Sequence, residues 1–333
     1  MILALAKLVV GACLLILLGY LVDWGAVAAV LRRADLSWVA GAFLVSVLGV
    51  LLSAEKWNGL LRDNRIKLRF QTAMQLYWVG MFFSNFLPTS VGGDVMRLML
   101  TPSHGRTERV AGTILIERLT GFFVMLVFSA IGLLIGPLSS GQQGPVIILL
   151  AAVLGLLGAV AAVLLVPTAL IKLMPVVIER LPRFVRRLIR KMQRIVITVA
   201  RQTRRGHALR RALLLSVPFY CTIFLAQYCV LQAVGAQVRL GDVILVGSLV
   251  PLLSLVPISL NGIGLAEGVF VAVYGVVGVP PDAALAAALL RRLVDLANSA
   301  LGGVFWLMEG RSQVALSQQQ NAPQLHVLGG SPR

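Results

Sequence analysis

Six apolar runs in this chain are each long enough to cross a bilayer, and two further apolar stretches are interrupted by almost the same phrase. The runs are Ile2–Val22, Leu36–Ala54, Val110–Ile135, Pro145–Val166, Leu213–Val234 and Ala283–Met308. Each holds about 19–26 residues, which at 1.5 Å per residue covers a hydrocarbon core of roughly 30 Å. The interrupted stretches are Gln71–Gly93 and Val243–Gly278. The first break reads Pro88-Thr89-Ser90-Val91-Gly92-Gly93-Asp94. The second reads Pro257-Ile258-Ser259-Leu260-Asn261-Gly262-Ile263-Gly264, with Glu267 following. Aligned on proline, both place a serine, then a glycine, then a carboxylate. Lipid cannot satisfy the backbone groups such a break frees, so it persists only where protein or a wet cavity covers it. Paired breaks in corresponding halves point to a transporter-type site.

Composition agrees with a membrane assignment. The 333 residues are 58% hydrophobic and only 13% charged, against roughly 25% charged in a soluble domain, and the mean hydropathy is +0.90. The net charge of +17 is concentrated between Lys172 and Arg211, where Glu179 is the one acid. This pattern follows the positive-inside rule. Without zinc-finger spacing or an aromatic-rich basic stretch, it does not indicate nucleic-acid binding. Within it, Pro182–Val199 alternates apolar and basic residues at helical spacing. This is the pattern of an interfacial helix lying against anionic headgroups of the inner leaflet.

Charge parity sets the topology. The loops Glu55–Arg69 and Val166–Arg211 are basic and are expected on the cytoplasmic side. Two crossings between them keep both there, so Gln71–Gly93 should enter and return without crossing. Val243–Gly278 should do the same from the outer side. Kinked but ordinary spanning helices are the alternative. The expected fold is therefore an all-α polytopic integral membrane protein with about six full spans. Two re-entrant or broken helices complete it in an inverted-repeat-like arrangement. The membrane domain covers 1–309, a short polar disordered tail covers 310–333, and both termini are cytoplasmic. Met1–Val22 reads as an uncleaved span, being longer than a signal-peptide core and lacking a clean cleavage site.

Charged residues within spans mark sites or fixed ion pairs. The candidates are Asp94 and Arg97 after the first break, Glu117 and Arg118 within Val110–Ile135, Glu267 after the second break, and Arg291, Arg292 and Asp295 in the last run. Arg291 and Asp295 are four apart and can pair on one helix face. Glu117 and Arg118 point about 100° apart and each needs a partner on another helix. With Asp295 assigned to Arg291, Arg292 reads as unpaired, open to an anionic ligand. Helices restarting after Gly92-Gly93 and after Gly262–Gly264 would present free N–H groups to a phosphate. Ser90 and Ser259 belong to the same breaks. Cys13, Cys221 and Cys229 lie in apolar runs, and the histidines are isolated, so neither a metal nor a cofactor is called for. The run Gly262–Glu267 is superficially like a dinucleotide loop but lacks its last glycine and a βαβ context. No P-loop is present.

At these residues the chain resembles the flippase-like membrane domain of lysylphosphatidylglycerol synthases. The pieces are FFSNFLPTSVGGDVMR (Phe82–Arg97), TILIERLTG (Thr113–Gly121), VPISLNGIGLAEG (Val256–Gly268) and LLRRLVD (Leu289–Asp295), within Leu14–Met308. Asn261 stands where many relatives have a small residue. The resemblance implies a domain that moves an aminoacylated phospholipid across the bilayer, joined in fused members to a soluble aminoacyl-transferase domain. The tail after Met308 is too short for that domain, so the translocation module alone is expected. Stand-alone relatives are linked with other envelope lipids, polyprenyl carriers among them, so the substrate does not follow from the resemblance. Arg97, Arg118, Arg291, Arg292 and the break residues would bind a lipid headgroup. Asp94, Glu117, Glu267 and Asp295 would hold the arginines or carry coupling protons. Two other classes remain open. One is a non-transporting subunit of a separate lipid-modifying enzyme. The other is a membrane-embedded transferase, which the short outer loops disfavour.

Overall fold

The computed structural model describes residues 23–86, 92–102, 106–135, 143–165, 199, 206–253 and 264–321. Among them, all regular structure is α-helical. In chain order the helices are α1 (Trp24–Arg32), α2 (Leu36–Asp63), α3 (Phe70–Phe86), α4 (Gly92–Leu100), α5 (Thr107–Ile135), α6 (Gln143–Leu165), α7 (His207–Ala233), α8 (Leu240–Leu253), α9 (Leu265–Val276) and α10 (Pro281–Asn321). α2, α5 and α7, of 28, 29 and 27 residues, are long and apolar enough to cross a membrane. α6 and α10 coincide with two more of the expected spans. Ile2–Val22 and, apart from Val199, the basic segment Pro182–Val199 lie outside the described residues. The protein is a polytopic helical membrane protein.

Two ends differ from expectation. α2 continues through Glu55 and Lys56 to Asp63, so the first half of the expected basic loop is helix. Hydropathy falls at the first charge, but no proline stops the helix there. α10 runs on to Asn321, so the irregular tail expected from Gly310 does not begin there. Its arginine, alanine, leucine and glutamines are good helix formers.

The chain is built from two copies of one four-helix unit, α2–α5 and α7–α10. Their correspondence shows first at the helix ends. α2 and α7 close with the same left-handed cap. Ile66 N–H donates to the Leu61 carbonyl and Ala236 N–H to the Leu231 carbonyl, each at 3.0 Å. The intervening residues have positive φ, 61° at Arg65 and 74° at Gly235. A broken stretch then follows in each copy, α3 with α4 and α8 with α9.

The two copies run in opposite directions. α2 and α7 pack antiparallel through small residues: Gly41 faces Cys229, Gly49 faces Thr222 and Gly59 faces Arg211. Close approach of this kind is how helices associate where the surrounding lipid is as apolar as their own side chains. The start of α2 is tied to the end of α7, Asp35 N–H donating to the Ala233 carbonyl at 3.0 Å.

Each broken stretch leaves and rejoins the bundle at one end. In the first copy, Arg106 Nη1 donates to the Arg65 carbonyl at 3.0 Å and Arg109 Nη1 to the Asn64 carbonyl at 3.5 Å. The start of α5 therefore sits beside the end of α2. Between them α3 and α4 are antiparallel, since Gly93 lies against Gly80 and Ser84 while Arg97 lies against Gly80. In the second copy, Val234 at the end of α7 packs with Leu285 and Ala286 near the start of α10. Because α2 and α7 are antiparallel, the two broken stretches enter from opposite ends. α1 covers the start of α10 through Val27, and α6 lies on α5 and α8 through Val153 and Val160.

Candidate functional site

The first break opens into a cluster of charge held by aromatic rings. α4 begins at Gly92 and Gly93, both buried, and its first turn presents Asp94. A side chain on Gly93 would collide with the Gly80 carbonyl and the Ser84 hydroxyl, so glycine is what lets α4 meet α3. One turn on, Arg97 is only 4% exposed. Its guanidinium lies 4.1 Å from the Trp57 ring and 4.3 Å from the Tyr77 ring, a stacked arrangement suited to a planar cation. It donates to Glu117 Oε2 at 2.5 Å and to Asp94 Oδ1 at 3.3 Å. Tyr77 Oη donates to the other Glu117 oxygen at 2.9 Å. The second Asp94 oxygen receives Arg118 at 2.9 Å. Asp94 thus bridges two arginines. Glu117 and Arg118 each find their partner on α4, as their divergent directions on α5 require.

Behind this cluster lies Lys56, 4% exposed. It donates to Ser216 Oγ at 3.1 Å and to the Glu117 carbonyl at 3.4 Å.

The second break differs. Gly264, at φ 79°, donates its N–H to Glu267 Oε2 at 2.8 Å. Glu267 is buried and also pairs with Arg292. Arg292 is therefore not the unpaired arginine expected from its own helix, because its acid comes from α9. The N–H of Gly264 is likewise already taken by the protein. The two copies share one device, a carboxylate in the first turn after the break paired to an arginine of the following long helix. Asp94–Arg118 and Glu267–Arg292 are its two instances. On α10, Arg291 pairs bidentately with Asp295 at 3.1 and 3.2 Å, as its four-residue spacing predicts.

A cavity of about 350 Å³ lies where the copies meet. It is lined from the first copy by Ser46, Ser84, Gly93, Asp94, Arg97 and Arg118. The second copy contributes Thr222, Arg291, Asp295 and Asn298. Ser46 and Thr222 stand near the middle of α2 and α7, which places the cavity at mid-depth in the bundle. Arg118 is its most open cation, 61% exposed. The structure thus brings Gly93, Asp94, Arg97, Arg118, Arg291 and Asp295 to one cavity, with Gly92 beside it and Glu117 behind it. Gly264, Glu267 and Arg292 form a separate, internally paired group. Ser90, Ser259 and Gly262 lie outside the described residues. Sequence reasoning missed Lys56, Trp57 and Tyr77. It also missed Asn298, whose Oδ1 accepts from Trp78 Nε1 at 2.8 Å. Among the described residues no group of three or more His, Cys, Asp or Glu could hold a metal ion.

Inverted helical copies, each broken at its second element and meeting at a charged mid-depth cavity, define the architecture of this polytopic membrane protein. The family is set by sequence: residues 4–302 match the model of the lysylphosphatidylglycerol synthase TM region, and the chain belongs to that family. It is also similar to UPF0104 membrane protein PH1989 of Pyrococcus horikoshii, 21% identical over 332 residues, covering 93% of this chain and 98% of that protein.

Proposed function

We propose that this protein moves a phosphate-bearing lipid headgroup across the cytoplasmic membrane, by flipping or scrambling, while the acyl chains stay in lipid. The observation that carries this reading is the cavity at the contact of the two inverted copies. It lies at mid-depth and is lined by Arg97, Arg118 and Arg291. Arginine matches phosphate oxygens with paired donors. Arg118, open on one side, is the first contact, and Arg291 receives the headgroup from the opposite copy. Breaks entering from opposite ends supply the two faces that alternating access needs. Both termini are assigned to the cytoplasm, with the basic segment 172–211 against anionic lipid of the inner leaflet. The reading is of a transporter and involves no covalent step.

The test is transport in proteoliposomes, following fluorescent phospholipids with a quencher confined to the outer leaflet. Wild-type protein should bring more lipid within reach of the quencher than empty vesicles do. Arg118→Ala and Arg291→Ala should each lower the rate at least about tenfold, the loss expected from removing one charge-assisted contact. Rates equal to empty vesicles for every lipid class, with and without an ion gradient, would refute the reading.

A further inference from the structure

We infer that the cavity selects a headgroup carrying one net negative charge, a phosphodiester with a small uncharged alcohol, over zwitterionic, cationic and pyrophosphate headgroups. This rests on reading the cavity as a headgroup site and adds the chemical class that the site takes.

The first support is charge balance. Three arginines and two aspartates line the cavity. Directly behind them, Glu117 and Lys56 add one acid and one base to the count, both buried. The neighbouring Glu267–Arg292 pair is neutral within itself. The sequences of 87–91 and 254–263, which adjoin these elements, contain no charged residue. Counted over the described residues, the site is left with a single excess positive charge at mid-depth. Isolated charge there is costly, and a bound monoanion removes the cost. A zwitterion leaves the excess uncompensated, an aminoacylated cation doubles it, and a pyrophosphate overshoots it.

The second support is the set of unused groups. Ser46 Oγ, Arg97 Nε and Arg291 Nη1 are buried atoms of cavity-lining residues with no hydrogen-bond partner among the described residues. Two are cationic donors and the third is a hydroxyl. Buried polar groups are nearly always satisfied, so these three are unfilled hydrogen-bonding capacity beside the cavity. The third support is size. A cavity of about 350 Å³ has room for roughly ten water-sized groups of about 30 Å³ each. That accommodates a phosphate and a three-carbon alcohol.

Binding can be read without transport, from the thermal unfolding of the purified full chain in detergent. The ligands are dihexanoyl phosphatidylglycerol, phosphatidylcholine, phosphatidic acid and lysyl-phosphatidylglycerol, together with inorganic phosphate. Phosphatidylglycerol should bind at least about tenfold more tightly than the zwitterion, the cationic lipid or inorganic phosphate. Asp295→Asn adds a net positive charge and should move the preference to the more highly charged phosphatidic acid. Arg291→Gln removes one and should weaken phosphatidylglycerol about tenfold while sparing phosphatidylcholine. A variant that only loosened the fold would weaken all ligands alike, so a change in rank order is the diagnostic result. Tightest binding by the zwitterion or the cationic lipid overturns the inference, as does binding by none. Equal binding of inorganic phosphate overturns the lipid source. If vesicles carry lipid but the charge preference fails, the transport reading survives and this inference does not. If the preference and its shift in Asp295→Asn appear while no lipid moves, the transport reading fails and this inference stands.

Discussion

Arg97 is the residue on which the charged cluster turns. It is buried between Trp57 and Tyr77, held by Glu117 and Asp94, and belongs to the cavity lining. Removing Glu117 would leave this guanidinium buried without its closest acid, so Glu117→Ala should lower stability by about 3–5 kcal/mol. Replacing both partners at once, as in Arg97→Met with Glu117→Met, should cost less than either single change, because no charge is left stranded. Chemical unfolding of the four proteins of that cycle measures it, and additive losses would contradict the coupling. Part of this was legible in the sequence. Asp94, Arg97, Glu117 and Arg118 are charges in apolar surroundings, and their cost alone marks them. Lys56 was not, because it follows Glu55 and precedes a basic run and so looks like a loop cation. Tyr77 and Trp57 look like ordinary membrane aromatics until the fold stacks them on Arg97.

At the scale of elements, the two breaks are equivalent in position but not in their wiring. The first leaves its arginines facing a cavity, and the second closes on itself through Glu267. The sequence phrase shows the equivalence through Pro88 and Pro257. It does not show the difference, because Arg292 meets its acid on another helix. Two substitutions test the elements. Gly93→Ala drives a methyl group into the Gly80 carbonyl and should destabilise by about 1–3 kcal/mol, as overpacking does, seen as a lower midpoint of thermal unfolding. Arg65 holds a left-handed conformation that Gly235 adopts in the other copy. Arg65→Gly should raise stability by about 0.5–1 kcal/mol, the steric relief being partly offset by greater freedom of the unfolded chain. No gain would mean that the Arg65 side chain matters more than its backbone.

Across the whole molecule, the inverted relation follows from contacts that sequence could only suggest. Parity of basic loops predicts that Gln71–Gly93 returns to its starting side, and the bonds from Arg106 and Arg109 to the end of α2 show that return. For the second copy, few charges fix the side, and only the antiparallel packing of α7 on α2 decides it. Lys67, beyond α2, and Gln237, beyond α7, are both exposed and should lie on opposite faces. In intact cells, a membrane-impermeant thiol reagent should label Gln237→Cys and not Lys67→Cys. Labelling of both from one side would contradict the inverted arrangement.

If the protein moves lipid as proposed, the cavity between the copies is the route the headgroup takes. The direct measurement uses a cysteine-free background with Thr222→Cys in the cavity wall, or Leu225→Cys on the exposed side of the same helix. Each is loaded with a bulky thiol reagent to a stoichiometry confirmed by mass and then assayed for lipid translocation in proteoliposomes. Labelled Thr222→Cys should fall to the rate of empty vesicles while labelled Leu225→Cys keeps its unlabelled rate. Undiminished translocation with the cavity blocked would contradict the account.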